Sequence, residues 1–293
     1  MKTNLFITLA GAVAFNIVAN AQNILPVTPP NIFVADYSAN TISEFTPGGG
    51  QSTFASGLNN PYGIAFDNAG DLFVADDGTD NIYKYAPGGA RTTFATMPNY
   101  PHGLACDSAG NLYVANFFLG SITKITPGGT QSTFASGLYG PNQLSFDSAG
   151  NLYAADYYGG DVTKITPGGV KSTVISGLTY AGGVAADGAG DVFVAQGVGS
   201  VDILEIAPGG AQSTFATGLS NVNGMAFDSA GNLFVEDSGT GIIYEYAPNA
   251  VRTTVASGFL QPNGLAIQPV PEPSAWAMLG TGAFVLFGLR RKV

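Results

Sequence analysis

The chain has 293 residues, with 41 Gly, 17 Pro, 10% charged and 45% hydrophobic side chains. That apolar content suffices for a packed core and excludes a disordered low-complexity chain, while the turn formers point to many short segments. Acids outnumber bases 20 to 10, and 19 to six once the two terminal segments are set aside, which excludes a basic phosphate-binding face and nucleic acid as a partner.

Residues 1–21 read as a signal peptide. One base, Lys2, precedes an apolar run over 5–18, and Ala19-Asn20-Ala21 sets small residues at the two positions that signal peptidase reads. Cleavage is expected after Ala21, because the run is short for a retained span. Residues 22–30 form a linker.

From 31 to 269 the sequence is periodic. Related segments begin at Asn31, Asp71, Asn111, Asn151, Asp191 and Asn232, spaced by 40, 40, 40, 40 and 41 residues. Pro-Gly-Gly recurs with the same beat from Pro47 to Pro208 and decays to Pro248-Asn249-Ala250. Such a period marks propeller blades or a solenoid, and no stretch has helical spacing. The second repeat predicts four strands, at 63–67, 72–76, 82–86 and 92–95, each rich in aromatic and β-branched residues. Asp67 and its counterparts are expected to cap turns that end on a positive-φ glycine such as Gly70. The first repeat lacks its innermost strand, and residues 262–267 supply it from the far end of the chain. The expected fold is therefore all-β: a six-bladed β-propeller of four-stranded blades, closed by pairing of its two ends.

The motif Pro-x-Gly-Ile/Leu-Ala-Phe-Asp-x-Ala-Gly-Asn-Leu-Tyr-Val-Ala-Asp, read at 61–76 and 101–116, resembles NHL-repeat and gluconolactonase-like propellers. It is also similar to virginiamycin B lyase-like propellers. The resemblance covers roughly 31–269 and implies a central channel as the natural site. Members include lactonases, lyases and binding modules.

The innermost strands should line that channel, so the x of Pro-x-Gly gives a ring of Tyr62, His102, Asn142, Gly182, Asn223 and Asn263, with Gln143 replacing a glycine beside it. The asparagines resemble metal-facing residues of the lactonase branch, but the ring lacks the carboxylates that a divalent cation prefers. No metal ligands or cofactor are assigned; Ca²⁺ or another divalent cation is the alternative. His102 is the one histidine and a candidate general acid or base, set against a plain channel-lining role. Glu236 is the other catalytic candidate, because five repeats have Ala there, at 35, 75, 115, 155 and 195. A buried unpaired carboxylate is costly, so it is expected at an open mouth, paired or functional. The acidic stretch Asp76-Asp77-Gly78-Thr79-Asp80 lacks the spacing of a Ca²⁺ loop and reads as a solvated turn. Cys106 stands where other repeats carry Phe and reads as a small core residue.

At the C-terminus, Pro271-Glu272-Pro273 precedes a nearly uncharged run over 275–289 and the basic end Arg290-Arg291-Lys292. Residues 270–293 resemble a PEP-CTERM sorting signal. The resemblance implies recognition by an exosortase-type membrane protease, with a permanent membrane anchor as the alternative. It implies an exported protein anchored or released at the bacterial cell surface, with extracellular polysaccharide as a ligand class; a small molecule in the channel is the other ligand class. A helix over 275–289 would be about 23 Å long against a hydrocarbon core of about 30 Å, a deficit that Ser274, tilt or thinning can absorb. The terminal bases orient the tail with the body outside. The favoured function is a non-catalytic, surface-sorted binding or matrix-associated module; the alternative is a lactonase- or lyase-like enzyme working in the channel.

Overall fold

The computed structural model describes residues 30–269 apart from 48, 198 and 200. The expected signal peptide, nearly all of the linker and the sorting tail with its helix lie outside the described residues.

The short apolar segments form 24 strands in six antiparallel sheets of four, and the only helical element among the described residues is a single turn at Asp77–Thr79. Blade two consists of Pro61–Phe66, Leu72–Asp76, Asn81–Tyr85 and Arg91–Thr96. Its inner strand begins two residues earlier than the sequence pattern indicates. The reason is a β-bulge: Pro61 pairs with Asp76 and Ile64 with Val74, so Tyr62 and Gly63 together face Ala75. Proline fits the first strand position, where its missing N–H is tolerated, and the bulge re-aims the side chain that follows. The same shift recurs in the blades headed by Pro101, Pro141 and Ala181.

The second strand of blade two is buried along its whole length, whereas the outer strand is exposed over its first three residues. The core accordingly lies between adjacent blades. Phe33 meets Phe54 and Phe66 edge-on at 5.0 Å, and Phe193 does the same with Phe215 and Phe227. Between blades two and three the third ring is replaced by Cys106, which is partly buried against the cluster of Phe73 and Phe94. Turn chemistry follows the expectation. Asp67 Oδ1 accepts the N–H groups of Ala69 and Asp71, both at 2.9 Å, and Gly70 has φ +82°.

Closure joins the two ends of the chain. Pro262–Ile267 pairs antiparallel with Ile32–Asp36, placing Leu265 opposite Val34 and Ala266 opposite Phe33. The Asp36 carboxylate accepts the N–H groups of Leu260 at 2.8 Å and Gln261 at 3.0 Å. The six inner strands then touch in an unbroken ring around the axis. They approach so closely that a Cβ at Gly63, Gly103 or Gly264 would collide with the backbone carbonyl of His102, Asn142 or Tyr62 respectively. Only glycine permits that packing.

Candidate functional site

The bulge at the start of five of the six inner strands turns the residue that follows toward one mouth of the channel; in blade six, whose inner strand begins only at Met225, Asn223 reaches the same mouth from the segment before it. Four of the ring positions are wired together by Asn142. Its Oδ1 accepts the Tyr62 hydroxyl at 2.9 Å and lies 3.0 Å from His102 Nδ1; its Nδ2 donates to the Gly182 carbonyl at 2.8 Å. Because Nδ2 is fixed by that carbonyl, Oδ1 is the accepting face, and the network assigns the imidazole proton to Nδ1. Asn223 Nδ2 donates to Asn263 Oδ1 at 3.0 Å, continuing the amide ring across the axis. His102, Asn142, Asn223 and Asn263 are all buried.

The His102 ring is stacked between Tyr62, with centroids 4.0 Å apart, and Phe117, at 4.2 Å. Burial lowers its pKa from 6.5 to about 4, and the contact with Asn142 opposes the shift only partly. Burial, reinforced by the Glu236 carboxyl, pushes the Tyr62 phenol well above its ordinary range. Both groups are neutral near pH 7. The partner of the imidazole is an amide, which carries no charge to stabilise an imidazolium.

The mouth opens into a cavity of about 410 Å³. Blades two to four contribute aromatic walls, including Tyr62, Phe117 and Tyr157; blades six and one contribute Asn221, Asn223, Gln261 and Asn263. Among the described residues lining it there is no Lys or Arg, and the one acid is Asp77. Burial first, then the charges of Asp80 and Asp76, raise Asp77 from 3.8 to about 7, and its buried Oδ1 accepts no hydrogen bond from the described protein. A cavity of about 590 Å³ beside Asp147 and Lys164 is larger, but it is a groove between neighbouring blades lined by hairpin turns, a feature the repeat generates without selecting special side chains.

The remaining sequence candidates fall elsewhere. Gln143 is partly buried and does not line the mouth. Glu236 is fully buried in the second strand of blade six, beneath Gly224, and does not line the cavity that His102 faces. Its N–H donates to the Gly224 carbonyl at 3.0 Å, but neither carboxyl oxygen finds a partner among the described residues. Burial foremost raises its pKa well above the usual value; the nearby Gly224 backbone opposes the rise without forming a geometrically sound hydrogen bond to the carboxyl, and the charges of Asp36 and Asp237 add to it. The inner strand of blade six is short, Met225–Phe227, and a Cβ at Gly224 just before it would collide with the Glu236 carboxyl.

The acidic stretch is a compact turn rather than a loop open to solvent. Asp76 is buried, accepting the Asn59 N–H at 2.7 Å and the Thr79 hydroxyl at 2.8 Å, while Asp80 accepts the Tyr100 N–H. Among the described residues no group of three or more His, Cys, Asp and Glu side chains is gathered to hold a metal ion. Sequence reasoning placed Asp77 in a turn rather than at the mouth, and missed Phe117 and Tyr157. All three follow the second strand of their blades, and comparing that column between repeats, as was done for the strands, picks them out.

One family model matches, the PEP-CTERM protein-sorting motif, over residues 269–292. It implies export and association with a membrane or the cell surface. No curated protein sequence matches. Solved structures match over most of the chain. The nidogen/laminin complex has 18% identity and a TM-score of 0.73, covering 83% of this chain and 99% of that one. Virginiamycin B lyase from Staphylococcus aureus has 16% identity and a TM-score of 0.60, covering 78% and 84%. A candidate gluconolactonase has 15% identity and a TM-score of 0.63, covering 72% and 82%. At these identities the likeness establishes the six-bladed propeller and no activity.

Proposed function

We propose that the protein is an exported, surface-sorted propeller that acts as a non-catalytic binding module, with its ligand seated in the channel mouth. The observation that carries this reading is the setting of His102. The one histidine is clamped between two aromatic rings, bonded to an amide and held neutral, and the other catalytic candidate, Glu236, does not line the cavity. A general base needs a pKa near working pH and a partner for the resulting charge, and His102 meets neither condition; Asp77 meets the first, but no Lys or Arg lines the cavity beside it. Lactone hydrolysis assayed with Ca²⁺, Mn²⁺ or Zn²⁺, beside a His102→Ala control, should give no turnover above background. Metal-dependent turnover that disappears in the variant would overturn the reading.

Export by a signal peptide cleaved after Ala21, and processing of the tail at Pro271-Glu272-Pro273 by an exosortase-type protease, complete the proposal. Its support is the sorting motif over 269–292 and the small residues Ala19 and Ala21 behind an apolar run. Glu272→Ala should leave the protein with a higher mature mass than wild type in a host that carries the protease. Equal masses would remove the support for Pro-Glu-Pro recognition.

A further inference from the structure

The aromatic wall does not end inside the cavity. From Phe117 it runs outward to Phe118 and Tyr158, with ring centroids 5.2 and 5.3 Å away, and from these to Tyr100 at 5.0 Å and Tyr139 at 5.6 Å. Tyr157 extends it to Tyr180 at 4.9 Å. The outer rings are open to solvent: Phe118 is 63% exposed, Tyr139 68% and Tyr158 50%. Scattered exposed apolar side chains are ordinary, but a connected crescent reaching across several blades marks an interaction surface.

Two of these residues also strain the backbone. Tyr100 and Tyr180 immediately precede their inner strands with φ of +61° and +57°. At the same position two other blades use Asn60 and Gly140, types that enter the left-handed region readily. A tyrosine there is strained, because its Cβ crowds the following carbonyl, and a ring that remains 47% or 41% exposed offsets only part of that strain through packing. The strain is carried by rings whose contacts extend the crescent, Tyr100 on Phe118 and Tyr180 on Tyr157, which ties the choice of residue to what the crescent meets.

The chemistry of the mouth narrows the partner. An anionic ligand would find no Lys or Arg along the lining, and a wholly apolar one would leave the buried Asp77 Oδ1 without a partner and the remaining hydrogen-bonding capacity of the mouth amides unused. A ligand with flat C–H faces and hydroxyl edges suits both lips: its weakly positive C–H groups pack on the electron-rich faces of the rings, and its hydroxyls bond to the amides. The length of the crescent calls for several such units in a row. We infer that the crescent is a series of subsites for a neutral polysaccharide, with pyranose rings stacked on Phe118, Tyr158 and Tyr100 and hydroxyls held at the amide lip. This rests on the reading of the mouth as a binding site and specifies its ligand class.

Affinity electrophoresis of the detergent-solubilised full-length protein tests it, in gels carrying dextran, laminarin, xylan or mannan. Alginate serves as the anionic arm and tetramethylammonium as a soluble competitor for cation capture by aromatic rings. At least one neutral chain should retard the protein, with no effect of tetramethylammonium. The double variant Phe118→Ala, Tyr158→Ala should bind about tenfold more weakly; both rings stand clear of the core, so folding is spared. Failure of every neutral chain, retardation by alginate alone, competition by tetramethylammonium, or equal retardation of the variant would each overturn the assignment. If alginate or tetramethylammonium binds and the variant abolishes that binding, the mouth remains a binding site and only the glycan assignment falls. Turnover in the lactone assay instead removes the binding-only reading.

Discussion

Asp77 and His102 face the same cavity and respond to pH with opposite sign. Asp77 titrates near 7 in the fold against 3.8 when unfolded. Its contribution is therefore fully present below about pH 4 and is lost as pH rises to about 7, because the unfolded chain gives up its proton first. His102 titrates near 4 in the fold against 6.5, so the stability it contributes is lost as pH falls from about 6.5 to 4. The two windows overlap and oppose each other, so Asp77→Asn should leave the His102 contribution uncancelled: stability should climb with pH between about 4 and 6.5 more steeply than in wild type, and the decline toward pH 7 should disappear. Urea midpoints measured for both chains between pH 4 and 8 check this, and parallel profiles would refute the assigned shift. Neither environment could be read from sequence. His102 was recognisable as a ring position, but its clamp depends on Phe117, which reaches it only through the geometry of the blade-three loop.

Among the elements, the hairpin between third and fourth strands shows how far the repeat dictates conformation. The second glycine of Pro-Gly-Gly has φ between +78° and +84° in five blades, and Ala250 occupies the same place at φ +60°. The backbone keeps its shape although the residue no longer favours it. Ala250→Gly should raise stability by about 0.5–1 kcal/mol, the left-handed penalty relieved less the entropy that glycine loses on folding; a lower denaturation midpoint would contradict this. Turn chemistry of this kind was legible because Asp, Gly and Pro each act locally. The inner-strand start was not: the bulge that adds Pro61 and Tyr62 to the strand is a property of two paired strands, and a single strand's pattern carries no trace of it. Glu236 was legible as an exception to its column, whereas its burial under Gly224 required the packed sheet.

For the whole molecule, the ring depends on a contact between residues more than 220 positions apart. The sequence revealed it because a missing strand at one end and a surplus strand at the other add up to one blade. Asp36→Ala removes the acceptor for the Leu260 and Gln261 N–H groups and should cost about 1–3 kcal/mol. Amide exchange should accelerate first in Pro262–Ile267, where opening begins; uniform acceleration across all six blades would show that the latch is not a separate unit.

The latch strand starts beside the mouth at Pro262 and ends on the opposite face, where the Gln268 N–H donates to the Asn31 carbonyl at 2.9 Å. Both exits from the propeller therefore lie at its back. A tether gripping the chain beyond Pro269 would hold the disc from behind and leave its tyrosine-rich front turned away from whatever the tether is fixed to. Tension on that tether runs along the latch strand, so the rungs joining it to Ile32–Asp36 are loaded together in shear rather than unzipped one at a time.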